Sequence, residues 1–129
     1  MTDISCPFCN PDPSALILEK TDVLAIWDRF PSTPGHALIL PRRHVSDWFD
    51  TTSDEQMSMI SALRDVRDRI AKDAVPDGFN IGLNVGKAAG QTIDHVHLHL
   101  IPRRLGDVAD PRGGVRWVMP ETAAYWVEK

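Results

Sequence analysis

Gln91-Thr-Ile-Asp-His-Val-His-Leu-His-Leu-Ile101 sets His95, His97 and His99 at alternate positions, with Val96, Leu98 and Leu100 beside them. Successive side chains of an extended chain point to opposite faces. The stretch therefore reads as a strand, with three imidazoles on one face and an apolar row on the other. The apolar row is expected to pack and the imidazole row to carry chemistry. A solvent-facing strand would usually bear Thr, Lys, Glu or Ser where these histidines stand. Pro102 is expected to close the strand.

Directly upstream, Asn84-Val-Gly-Lys-Ala-Ala-Gly-Gln-Thr92 is a loop of small residues. Its glycines let backbone N–H groups approach an anion, and Asn84, Gln91 and Thr92 add side-chain donors. Such a loop beside histidines suits a phosphate held against a nucleophile. Imidazole also serves as a metal ligand or a general acid or base, and spacing alone does not choose.

The remaining elements follow from local patterns. Thr52-Ser-Asp-Glu55 fits a capping box. A helix is expected from Ser53 to about Ala74, with Met59, Ile60, Leu63, Val66, Ile70 and Ala74 on one buried face, ended by Pro76-Asp-Gly78. Ala15–Glu19 and Val23–Trp27 form a hairpin across Lys20-Thr-Asp22. His36–Leu40 is a third strand stopped by Pro41, Phe79–Val85 a fourth, and the histidine stretch a fifth. Cys6-Pro-Phe-Cys9 makes a knuckle in a Pro-rich opening segment. Arg103–Gly114 reads as a polar tail, Val115–Met119 as a short strand, and Tyr125 and Trp126 as part of a last helical turn. The fold class is α+β, with a mainly antiparallel sheet and one long helix. One helix covers only part of such a sheet, which points to self-association as a two-fold dimer.

With 129 residues, 43% of them hydrophobic, the chain is expected to form one domain over 1–129. A net charge of −4 argues against a general nucleic-acid binder. No apolar run reaches transmembrane length and the N-terminus does not resemble a signal peptide, so a cytoplasmic protein without membrane attachment is expected. In that reducing compartment Cys6 and Cys9 read as metal ligands or a redox pair rather than a structural disulfide.

His95-Val-His-Leu-His-Leu-Ile101, preceded by Gly90-Gln-Thr92, resembles the signature of the histidine triad (HIT) family of nucleotide hydrolases and transferases. Asp28, Gly35-His-Ala-Leu-Ile-Leu-Pro41, Pro41-Arg-Arg-His44, the long helix and Asn84 also fall in the family's order and spacing. The resemblance covers about residues 6–105 and leaves 106–129 as a C-terminal tail.

By this resemblance, His97 is the nucleophile that attacks the α-phosphorus of a purine nucleotide conjugate, forming a nucleotidyl-histidine that water hydrolyses. His99 and Asn84 would contact phosphate oxygens, helped by Gly90, Gln91 and Thr92, and Asp28 would accept from the ribose hydroxyls. His36 would join the triad's hydrogen-bond network. Cys6, Cys9, His44 and His95 match a structural zinc site of one branch of the family, leaving catalysis itself metal-free, and the protein would be a homodimer.

The branch is not fixed by these residues. The Cys-x-x-Cys knuckle is similar to the phosphoramidase branch, and Pro102-Arg-Arg-Leu-Gly-Asp107 to the branch that cleaves dinucleoside polyphosphates. Arg103 and Arg104 are either phosphate-holding or solvated charges. Asp94 is acidic where the family pattern is uncharged or basic. Trp117, Tyr125 and Trp126 either pack in a core or dimer interface or close over a partner's site. Two other readings remain open: a zinc metallohydrolase using the three triad histidines, and a non-catalytic nucleotide sensor.

Overall fold

Two apolar runs joined at Lys20-Thr-Asp22 form the expected hairpin, β1 (Leu16–Glu19) and β2 (Val23–Trp27), closed by Lys20 N–H donating to the Val23 carbonyl. The computed structural model describes Asp3 and residues 5–127. β3 (Ala37–Pro41) pairs antiparallel with β2. β5 (Leu98–Arg103) inserts between β3 and β4 (Gly78–Gly82), giving a five-stranded antiparallel sheet in the order β1-β2-β3-β5-β4. No helix among the described residues is long and apolar enough to cross a membrane.

The single long helix α1 (Ser53–Asp73) starts at the predicted capping box, with Thr52 accepting from Glu55 N–H and the Glu55 carboxylate accepting from Thr52 N–H. Met59, Ala62, Val66 and Ile70 pack on Val23, Ala25, Ala37, Ile39, Leu98 and Leu100, one face of the sheet. Burying each large aliphatic side chain there contributes about 1.5–3 kcal/mol. Leu24, Ile26, Leu38 and Leu40 form the other face, covered by Phe8, Ala15 and Leu16 of the N-terminal segment. β3 is thus buried on both sides, and its sequence is accordingly apolar throughout.

Several boundaries differ from the sequence reading. β5 begins at Leu98, because Val96 N–H donates to the Val45 carbonyl instead of joining the ladder with β3. Pro102 lies inside β5 and does not close it. Its carbonyl accepts from Thr33 Oγ1, so the side that lacks an N–H faces away from β4 and no ladder bond is lost. Pro41 likewise belongs to β3. β4 stops at Gly82, where the chain departs toward the donor loop and carries Asn84 with it.

Val115–Met119 is not a strand. Gly113 and Gly114 take positive φ and start a 3-10 turn over Gly114–Val118, followed by the short helix α2 (Pro120–Ala123). Tyr125 and Trp126 lie beyond α2, stacked on Arg116 and Arg112. On α1, Ile60 is 59% exposed instead of buried, and Ala74 is the exposed C-cap. Ile60 opens onto a groove with Leu63, Phe79 and Ile81 beside the unpaired edge of β4.

Candidate active site

On β5 and the residues just before it, alternation puts His97 and His99 on the face opposite α1. There they line a cleft of about 1100 Å³ together with Asp28, Asn84, Gly90, Thr92 and Phe8. That volume lies at the upper end for small-molecule sites. The floor comes from Ile26 and Leu38, and one wall comes from Pro7, Phe8, Asn10, Pro11 and Asp12 of the knuckle segment.

Hydrogen bonds assign the tautomers. His97 Nδ1–H donates to the His95 carbonyl at 2.9 Å, leaving Nε2 with its lone pair. A chain of donors begins at Ser32 N–H, which donates to His36 Nδ1 at 2.9 Å. His36 must then carry its proton on Nε2, which donates to His99 Nδ1 at 2.9 Å and lies 3.4 Å from Asp28 Oδ2. His99 is left with Nε2–H, a donor for an anion in the cleft. Burial lowers the pKa of His36, partly offset by Asp28. Burial, reinforced by His97 and His36, takes His99 down to about 4. The His36–His99 pair is therefore neutral near pH 7.

The donor loop is shaped by glycine. Gly86 and Gly90 sit at φ of 87° and 92°, a region costly for other residues, and they bracket a 3-10 turn at Lys87–Ala89. Gln91 is placed differently from the nucleotide-contacting role expected for it. Its buried amide donates to the Ser46 and Ile93 carbonyls while its Oε1 accepts from Gly86 N–H, so it braces the loop and does not line the cleft.

His95 faces elsewhere. Fully buried, it donates Nε2–H to the Pro41 carbonyl at 2.7 Å and aims Nδ1 at Cys6 Sγ and Cys9 Sγ, each 3.6 Å away. His44 Nδ1 lies 3.3 Å from Cys9 Sγ. A tetrahedral zinc ion sets S···N edges of about 3.5 Å, so the four predicted ligands fit that ion. Burial pushes the Cys6 thiol pKa up, an opposition that a bound cation would offset. Asp3 N–H donates to Cys9 Sγ, and the Arg43–Glu55 pair anchors the chain next to His44. No disulfide joins the two cysteines.

A second group, Asp28, His36 and His99, also has its ligand atoms within 4.8 Å of one another, but its contacts are already met by shared protons. Neither cluster includes His97, and His95 turns away from His97 and His99. A metal held by all three triad imidazoles therefore has no support in this geometry.

Arg103, at the end of β5, and Arg104, just beyond it, do not line the cleft. Arg103 binds Asp107 and Asn80, and Arg104 donates to the Pro34 carbonyl. Asp94 is exposed, and Trp117 donates to the Arg112 carbonyl. The sequence reading gave no role to Ser32, whose contribution is a backbone N–H. It gave none to Phe8 either, whose position between the two cysteines was the only available signal.

The model of the family described as "HIT domain" matches residues 10–106. An uncharacterized HIT-like protein of Mycobacterium tuberculosis is 40% identical over 79% of this chain and 74% of its own. A protein of that organism named AP-4-A phosphorylase is 36% identical over 78% of this chain but 52% of its own. Among solved structures, a Zn-bound histidine triad family protein from Mycobacterium smegmatis aligns with a TM-score of 0.73 at 33% identity, covering 95% of this chain and 96% of that one.

Proposed function

Because the chain belongs to the HIT domain family, we propose that it is a hydrolase or nucleotidyl transferase acting at the α-phosphate of a purine nucleotide conjugate through His97. The observation that carries this reading is the His97 ring, with Nδ1–H held by the His95 carbonyl and Nε2 bare beside a donor-lined cleft.

The Nε2 lone pair attacks phosphorus, the bond to the leaving nitrogen or oxygen breaks, and the leaving group takes up a proton from water. The resulting imidazolium keeps Nδ1–H on the His95 carbonyl. Water then adds to phosphorus, the P–Nε2 bond breaks, and a proton is released, regenerating neutral His97 and a nucleoside monophosphate. His99 Nε2–H, Asn84, Thr92 and the backbone at Gly90 would meet the oxygens where charge develops. The Ser32–His36–His99 chain keeps that donor in place. Asp28 would accept from the ribose, and Gln91 acts on nucleotide binding through the loop.

Cys6, Cys9, His44 and His95 would hold a structural zinc ion, which supplies anchorage of the knuckle and the orientation of His95. The Zn-bound relative supports this assignment. The relative named AP-4-A phosphorylase favours a dinucleoside polyphosphate over a phosphoramidate as substrate. The groove at Ile60, Leu63, Phe79 and Ile81, next to the open edge of β4, supports a two-fold homodimer of single-domain chains. Cysteines that serve as zinc ligands would suit a reducing cytoplasm.

Steady-state assays with adenosine phosphoramidate and a diadenosine polyphosphate test the reading. His97→Ala should lower kcat on the order of a thousandfold or more. A variant that turns over at near the wild-type rate would overturn it.

A further inference from the structure

The His97 imidazole has ring neighbours on two sides. The His99 ring centroid is 5.1 Å away at 64°, and the Phe8 ring is 5.0 Å away at 65°. Phe8 also meets His95 edge-on, at 6.1 Å and 85°. One hydrogen bond, from Nδ1 to the His95 carbonyl, fixes one atom of the His97 ring. The two ring contacts bear on the rotation that this bond leaves open.

The origin of the Phe8 contact lies in the knuckle. Pro7 restricts the backbone before Phe8, and Cys9 N–H donates to the Cys6 carbonyl, closing a tight turn around Pro7 and Phe8. The cysteines on either side of that turn both reach His95 Nδ1. The inner side of the Phe8 ring packs on the Leu24, Ile26, Leu38 and Leu40 cluster, while the ring also lines the cleft. The cysteine–histidine cluster and the nucleophile therefore share one aromatic side chain.

We propose that Phe8 is a positioning residue for His97, holding the imidazole at the tilt that turns Nε2 into the cleft, and that it couples the Cys6, Cys9, His44 and His95 cluster to turnover. This rests on the reading of His97 as nucleophile. A ring released by one rotamer step would leave Nε2 misaligned for in-line attack, and misplacement of about 1 Å is enough to lower a rate about a hundredfold. The competing role for Phe8 is a wall that touches the bound nucleotide and leaves the nucleophile alone.

The two roles separate in a cycle of wild type, Phe8→Leu, Cys9→Ser and the double variant, with Phe8→Met as the alternative should Phe8→Leu fold poorly. The readouts are zinc content, the saturating rate on whichever of a diadenosine polyphosphate and adenosine phosphoramidate wild type turns over faster, the Kd for AMP, and the ring nitrogen resonances of His97 by NMR. In Phe8→Leu, zinc and the Kd for AMP should stay within about twofold, while the saturating rate falls about ten- to a hundredfold. The His97 Nδ1–H signal should broaden or exchange faster. The double variant should be no slower than Cys9→Ser, since both changes release the same ring.

A Kd for AMP that weakens by the whole loss in kcat/KM, with an unchanged saturating rate and an unaltered His97 signal, would make Phe8 a wall and overturn the proposal. Fully additive rate losses would overturn the coupling to the metal cluster. Absence of turnover of both substrates in wild type would instead sink the hydrolase reading, and the His97 resonances would still decide whether Phe8 orders the ring.

Discussion

Acidification should destabilise this fold in a way that one histidine makes measurable. His99 titrates at about 4 in the folded chain, against an ordinary value of 6.5, because burial and the neighbouring imidazoles penalise its charged form. Between these values the unfolded chain binds a proton that the native state refuses, so stability falls as pH drops through that window. One pKa unit corresponds to about 1.36 kcal/mol, which puts the ceiling for His99 at about 3.4 kcal/mol. From pH 7 to pH 5 the loss from His99 works out to about 2 kcal/mol. With an urea m-value of about 1–3 kcal/mol/M, that loss moves the midpoint by about 1 M. His36, also held below its ordinary value, adds in the same direction. Urea unfolding of wild type and His99→Asn at pH 7, 6 and 5 reads the difference directly, and any loss of zinc common to both proteins cancels. Wild type should lose about 2 kcal/mol more than the variant across the range. Parallel pH dependences would refute the assignment of a neutral His36–His99 pair.

Cys9→Ser should release zinc, measured by metal analysis of the purified protein, and lower Tm by several degrees. Arg43→Ala removes both guanidinium hydrogen bonds from the largely buried Glu55 carboxylate and leaves it the Thr52 N–H. It should cost about 1–3 kcal/mol in urea unfolding and weaken zinc retention by loosening the segment that carries His44. Gln91→Ala removes three bonds that brace the donor loop. It should lower kcat/KM roughly tenfold with circular dichroism unchanged. An unaffected kcat/KM would count against the bracing role.

Much of this architecture could be read locally. The period of two correctly put His97 and His99 on one face but not His95, which lies ahead of β5 and turns to the cysteines, and the Thr52–Glu55 box placed the start of α1. The Cys6–Cys9 spacing marked the knuckle. What escaped was non-local. Pro102 reads as a strand breaker until Thr33 is seen to take its carbonyl on the side where an N–H is missing. Gln91 reads as a ligand donor until its amide meets Ser46, which lies 45 positions earlier. Ile60 fits the helical stripe, yet it flanks the edge of β4 and stays open. The tautomer of His36 depends on a backbone N–H at Ser32, which every residue but proline carries and which no pattern advertises. Phe8 stands 89 positions from His97, and only the folded knuckle brings the two rings together.

The central claim is that His97 bonds to phosphorus during turnover. Intact-protein mass spectrometry after a rapid, acid-free quench tests it, with adenosine phosphoramidate and a diadenosine polyphosphate offered separately to wild type and His97→Ala. The account expects an adenylyl adduct on wild type that maps to His97 and is absent from the variant. Hydrolysis of both substrates with no adduct on wild type, or an equal adduct on His97→Ala, would contradict it.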